Sequence, residues 1–102
     1  MSDWQYTQID SSEELAQLHF FSVKKNEPRG PVQFRITIKE FAAPPPGQFV
    51  RFFAEADKPV NQNTAAIIPS GWGESLFKAL ADCLRIIRQF PYEGKEDCAS
   101  SQ

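Results

Sequence analysis

The sequence predicts a single small α+β domain in the order α-β-β-β-α: a short N-terminal helix, a three- to four-stranded antiparallel sheet, and a long C-terminal helix packed on one sheet face. Three observations carry this expectation. Residues 32–39, Val32-Gln33-Phe34-Arg35-Ile36-Thr37-Ile38-Lys39, alternate strictly between apolar and polar, as a strand with one buried face does. Leu76, Leu80, Cys83, Leu84 and Ile87 recur at the spacing of an amphipathic helix. With 102 residues, 41% of them apolar and nine of them phenylalanine, the chain can bury one core but not two.

Residues 1–10 read as an N-terminal arm or edge strand, since Trp4 to Ile9 alternates only weakly. The domain proper then runs over residues 11–92. Ser11 or Ser12, followed by Glu13, Glu14, Leu15 and Leu18, resembles a helix start, with a serine oxygen to cap free N–H groups and early carboxylates to meet the positive end of the helix dipole. Phe20, Phe21 and Val23 place the first strand at His19 to Lys25, and Asn26-Glu27-Pro28-Arg29-Gly30-Pro31 supplies the turn that ends it. The second strand is the alternating segment already described. Ala42 to Gly47, with three successive prolines, breaks the ladder because proline lacks an N–H donor.

A third strand follows from Gln48 to Ala56, with Phe49, Arg51 and Phe53 on one face and Val50, Phe52 and Ala54 on the other. Either both faces are covered or one offers its rings to a partner. Thr64-Ala65-Ala66-Ile67-Ile68 suggests a short fourth strand. The final helix runs from Trp72 or Ser75 to Phe90, where Pro91 stops it, with Lys78, Asp82, Arg85 and Gln89 on its wet face. Residues 93–102 form a polar tail too poor in apolar side chains to fold.

Composition narrows the function classes. A formal charge of −2 generates no field that would hold the whole chain on nucleic acid or an anionic membrane, so any polyanion contact must be local. Residues 24–58 supply such a local excess, with seven basic side chains against four acidic ones. No segment approaches the roughly 18 consecutive apolar residues needed to span a bilayer, and the first ten residues lack the pattern of a secretory signal. Cys83 and Cys98 lie in unlike settings, one in a helix and one in the tail, so a reducing, cytoplasmic environment is expected rather than a disulfide.

Gly71-x-Gly73-x-Ser75-x-x-x-Ala79-x-x-x-Cys83 resembles the start of the last helix in double-stranded-RNA-binding domains, and Gly30-Pro31 after the first strand echoes the same family. The resemblance implies a helix that begins tightly and presses close to a sheet. Where that family places consecutive lysines to reach phosphates, this chain has Leu76 and Phe77, with Lys78 nearby, and Gln33 stands where the family has a histidine. Gly73-Glu74-Ser75-Leu76 with Ala79-Leu80 is also similar to HicB-type antitoxin domains, which implies the binding of a partner protein.

No catalytic, cofactor or metal site is expected. His19 is the sole histidine, and neither Cys83 nor Cys98 has ligand spacing to it. Ser75 has only His19 as a conceivable base and reads as a helix cap. Gly71-x-Gly73 lacks the full dinucleotide and P-loop spacings. Trp72, between two glycines, is either an anchor under the helix or an exposed contact.

The candidate interaction face is Arg35, Lys39, Phe49, Arg51 and Phe53, on the side of the sheet away from the long helix. Rings beside cations suit stacked bases and suit a protein interface equally. The expected role is a small non-catalytic interaction module that binds another protein or itself, with a basic-aromatic nucleic-acid face as the alternative and no membrane partner. A third possibility is that the N-terminal arm, with Trp4 and Tyr6, covers those rings and enlarges the core.

Overall fold

The computed structural model describes residues 3–7, 10 and 12–94. Four strands, β1 (Ala16–Glu27), β2 (Gly30–Phe41), β3 (Phe52–Ala56) and β4 (Ser70–Gly73), form one antiparallel sheet in the order β1-β2-β3-β4. One helix, α1 (Leu76–Gln89), follows and lies on one face. The element order is therefore β-β-β-β-α and mostly sheet, which corrects the expected α-β-β-β-α.

The expected N-terminal helix is replaced by sheet. A single 3-10 turn occupies Asp3–Tyr6, and Asp10 caps a short turn by accepting from the Ser12 N–H at 3.0 Å. That hydrogen bond also holds the Asp10 carboxyl below its usual range. From Ala16 onward the chain pairs with the far end of β2, Ala16 opposite Phe41 and Leu18 opposite Lys39. An isolated helix of two turns is marginal, because nucleation costs more than so few hydrogen bonds return, whereas β2 offers a preformed edge that needs a neighbour.

The β1–β2 hairpin closes on two residues, Pro28 and Arg29, with Glu27 opposite Gly30. Gly30 has φ +129°, a conformation that a Cβ would strain. On β2, Val32, Phe34, Ile36 and Ile38 are buried beneath α1 while Gln33, Arg35 and Lys39 are exposed, as the alternation requires. Ala54, Ala56, Val60, Ala79, Cys83, Ile87 and Tyr92 complete this core. Tyr92 meets Phe34 edge to face at 6.0 Å, so the segment after the helix is clamped down on the sheet.

Two further differences concern the strands. The third strand begins at Phe52 rather than Gln48, because the loop from the prolines extends to Arg51. Thr64–Ile68 contributes only an isolated bridge, Val60 to Ile67, since Asn61 adopts φ +58° and the chain turns back at once. The fourth place in the sheet goes to Ser70–Gly73, so Trp72 belongs to a strand and not to the helix start. Two glycines make this segment a poor strand by propensity. They are required there by space: a Cβ on Gly71 would lie 2.5 Å from Asp82 Cβ and 2.7 Å from the Ala79 carbonyl oxygen, and one on Gly73 would lie 2.6 Å from Ala79 N.

At the start of α1, Ser75 is extended and accepts the Lys78 N–H at 3.2 Å. At its end, Lys25 on β1 reaches across and donates from Nζ to the Ile87 and Phe90 carbonyls at 2.7 and 2.8 Å. The same ammonium pairs with Glu27 at 2.9 Å, and Glu27 in turn accepts the Tyr92 N–H. The expected polar tail falls mostly on residues 95–102, outside the described ones.

Two substitutions test these contacts. Gly71→Ala forces a methyl group into helix backbone and is expected to lower stability by about 2 to 3 kcal/mol, read from the urea midpoint. Lys25→Met removes a cation from the carbonyl end of α1 and from Glu27, with an expected loss of about 1 to 2 kcal/mol in the same assay.

Candidate interaction surface

Opposed residues in an antiparallel ladder point to the same side, so the register fixes what lies on the face away from α1. One row across the sheet reads Leu18, Lys39, Phe53, Trp72; the next reads Phe20, Thr37, Glu55, Ser70; a third sets Ser22 against Arg35. Asp57 extends that third row, donating its N–H to the Arg35 carbonyl and accepting the Arg35 N–H on Oδ1 at 3.0 Å.

Of the five residues expected on this face, Lys39 and Phe53 are brought together as direct cross-strand neighbours. Arg35 lies on the same face four residues along β2 from Lys39, or about 13 Å at strand rise. Arg51 sits just outside β3, where its carbonyl accepts the Phe41 N–H at 2.9 Å and its side chain is half-buried. Phe49 is not part of the sheet; it stands 96% exposed in the proline loop.

The rings at the β4 end pack on each other. Trp72 stacks over Phe41 at 6.2 Å, with an 18° interplanar angle, and tilts against Phe53 at 4.6 Å. Phe41 is buried and the other two are half-buried. This cluster is therefore a second, minor core on the outer face, and it withdraws Phe53 from the role of a free stacking platform.

Exposed large apolar side chains occur singly at Tyr6, Phe49, Ile68 and Phe77, and three are grouped on β1, at the opposite end of the sheet. Leu18 is 48% exposed and Phe20 71%, both on the outer face, while Phe21, opposite Ile36, is also exposed. Phe20, Phe21, Ser22, Arg35, Thr37 and Asp57 line an open depression of ≈ 530 Å³. The sequence does contain the signal for this patch: in a strand, adjacent phenylalanines must point to opposite faces, so one of Phe20 and Phe21 had to leave the core.

Basic side chains are dispersed and partly committed to structure. Lys25 caps α1, Arg29 donates to the Gly94 carbonyl at 2.8 Å, and Lys58 donates to the Gln33 carbonyl at 2.7 Å. On the outer face Glu55 and Asp57 interrupt the positions of Arg35, Lys39 and Arg51, giving a mixed-charge surface.

Ser75, His19 and Cys83, the reactive side chains considered from the sequence, each have a partner in the fold. The Ser75 hydroxyl is the N-cap, and His19 Nε2 lies 3.0 Å from Glu40 Oε1. Cys83 is a buried free thiol with Sγ 3.5 Å from the Pro69 carbonyl. Among the described residues no group of three or more His, Cys, Asp or Glu side chains could hold a metal ion, and no helix is long and apolar enough to cross a membrane. No protein-family model, curated protein or solved structure matches the chain.

Burial pushes the Cys83 thiol up to about 11 from 9.0, with the Glu55 carboxylate adding to the shift. The folded state thus keeps a proton that the unfolded chain releases first. Below pH 9 the contribution is complete, and it is lost as pH rises toward 11; a two-unit difference corresponds to about 2 to 3 kcal/mol. Urea melts between pH 8 and 11 should show this alkaline loss, and the Cys83→Ala variant should lack that part of it.

Proposed function

We propose that this protein is a non-catalytic interaction module that binds a protein surface, another protein or a second copy of itself, through β1 and the adjoining outer face of the sheet. The observation that carries the reading is the exposure of Leu18, Phe20 and Phe21 on a 12-residue strand that, among the described residues, has a sheet neighbour on one side only. An uncovered strand edge offers main-chain donors and acceptors, and aromatic side chains beside it add the contact area that protein interfaces favour.

A non-catalytic role is supported by the duties of the reactive side chains. Ser75 caps a helix, His19 meets a carboxylate, and Cys83 is buried and protonated at neutral pH. A cytoplasmic location fits a buried free thiol. The likeness to HicB-type antitoxin domains points the same way, since members of that family bind a partner protein.

The second reading is a weak nucleic-acid face made of Arg35, Lys39, Phe49, Arg51 and Phe53. The adjacency of Lys39 and Phe53 favours it, while Glu55, Asp57 and the packing of Phe53 under Trp72 weigh against it. Amide NMR titration with short single- and double-stranded RNA and DNA separates the two. No shift at those five residues is the expected outcome. Shifts confined to them that fade with added salt would replace the protein-binding reading, because phosphate contacts must weaken as counterions compete.

A further inference from the structure

We infer that the occupant of the β1 edge is a second copy of this chain, added antiparallel across a two-fold axis at Phe20 to make a continuous eight-stranded sheet. This inference rests on the interaction reading above and goes beyond it by naming the partner and the register.

The ladder itself shows which groups face the open edge. The Ala42 N–H donates to the Leu15 carbonyl at 2.8 Å, and these two residues continue by one pair the register that sets Ala16 opposite Phe41. Hydrogen-bonded and non-hydrogen-bonded pairs alternate in an antiparallel ladder, so odd-numbered β1 residues bond to β2. The even-numbered ones, Ala16, Leu18, Phe20, Ser22 and Lys24, therefore turn their N–H and C=O groups outward. These are also the residues whose side chains lie on the outer face, Phe20 foremost.

Symmetry restricts the pairing. Opposed residues share a face, so two identical strands related by a two-fold axis must cross it at one residue paired with its own copy. Centred on Phe20, the pairing sets Phe20 against Phe20, Leu18 against Ser22, His19 against Phe21, and Ala16 against Lys24 of the second copy. No like charges are opposed, and the two most exposed large apolar side chains of β1 enter the joint. Centring on Lys24 or Lys25 would oppose ammonium to ammonium, and Lys25 is already held by the Ile87 and Phe90 carbonyls. Overlap from Ala16 to Lys24 forms about ten main-chain hydrogen bonds, two for each hydrogen-bonded pair, which is the number a stable interface carries.

Edge strands that must stay single are kept short or guarded by proline, bulges or inward charge. β1 has 12 residues, no proline, and one continuous register with β2; its first eight residues carry no Asp, Glu, Lys or Arg. The side-chain area beside the main-chain bonds is small compared with the roughly 800 Å² per partner of a standard interface, so the dimer should dissociate on the order of micromolar.

The test uses the full chain. Sedimentation equilibrium from about 1 µM to 1 mM should show a monomer–dimer equilibrium. Phe20→Lys, at a position exposed in the monomer, should weaken it by about 30-fold or more while leaving the far-UV spectrum and the thermal midpoint of the dilute protein unchanged. Independently of any variant, amide hydrogen exchange of the wild-type protein should slow at Leu18, Phe20 and Ser22 on concentration, while His19 and Phe21 stay protected at every concentration. A monomer throughout, or a dimer in which the Leu18, Phe20 and Ser22 amides exchange equally fast at all concentrations, overturns the inference. The broader reading is judged apart from this: it fails only if immobilised wild-type and Phe20→Lys proteins also retain the same set of cell proteins.

Discussion

The closeness of α1 to β4 is the constraint from which the rest of the molecule follows. Gly71 and Gly73 leave no room for a Cβ between strand and helix, so backbone lies on backbone at the sheet edge. Four strands at about 4.8 Å spacing make a sheet about 14 Å wide between outer strand axes, and a helix with its side chains covers about 10 Å. A helix pressed against β4 therefore reaches β3 and β2 and stops short of β1. The buried residues record this coverage: Ala79, Cys83 and Ile87 lie over Phe34, Ile36, Ile38, Ala54 and Ala56, whereas Val23 is the β1 member that packs against that core.

β1 is consequently held mainly by its ladder to β2 and, at its hairpin end, by Val23, Lys25 and Glu27. Lys25 and Glu27 join the hairpin end of β1 to the last turn of α1 and to Tyr92, closing the carbonyl end of the helix with a cation where the dipole favours one. The other half of β1 has a lighter cover. There His19 meets Glu40, Leu18 and Phe20 lie on the outer face, and Phe21, on the other face, is exposed beyond the reach of the helix. One strand thus has a structural half and an exposed half, and the division falls where the helix ends.

The parts of this fold that local chemistry determines could be read from the sequence. The alternation at 32–39 identified the buried and exposed sides of β2, and the apolar spacing with Ser75 and Pro91 bounded α1. What could not be read depends on distant partners. Ala16 to Leu18 joins the sheet only because β2 continues to Phe41, and Ser70–Gly73 is a strand only because β3 needs a neighbour thin enough to lie beneath a helix. The glycine motif was legible as a close-packing signal, but its glycines serve the strand before the helix and not the helix start. Among the site residues, Lys39 and Phe53 followed from strand parity, while Phe49 was misplaced because the proline loop extends past it to Arg51.

Exposure of Leu18 and Phe20 could in principle be relieved by a one-residue slip of β1, which would exchange its two faces. Hydrophobicity alone does not forbid that, since each face of β1 has two strongly apolar residues, Leu18 and Phe20 on one and Phe21 and Val23 on the other. The slip would, however, put Ser22 in place of Val23 beside buried Phe34, and Asn26 in place of the Glu27 carboxylate that receives Lys25 and the Tyr92 N–H. It would also displace the closing pair Glu27–Gly30 from the two-residue turn. The register is thus set at the hairpin end by a charge pair, a helix terminus and a turn. Leu18 and Phe20, at the far end of the same strand, face outward as the geometric consequence of interactions in which they take no part.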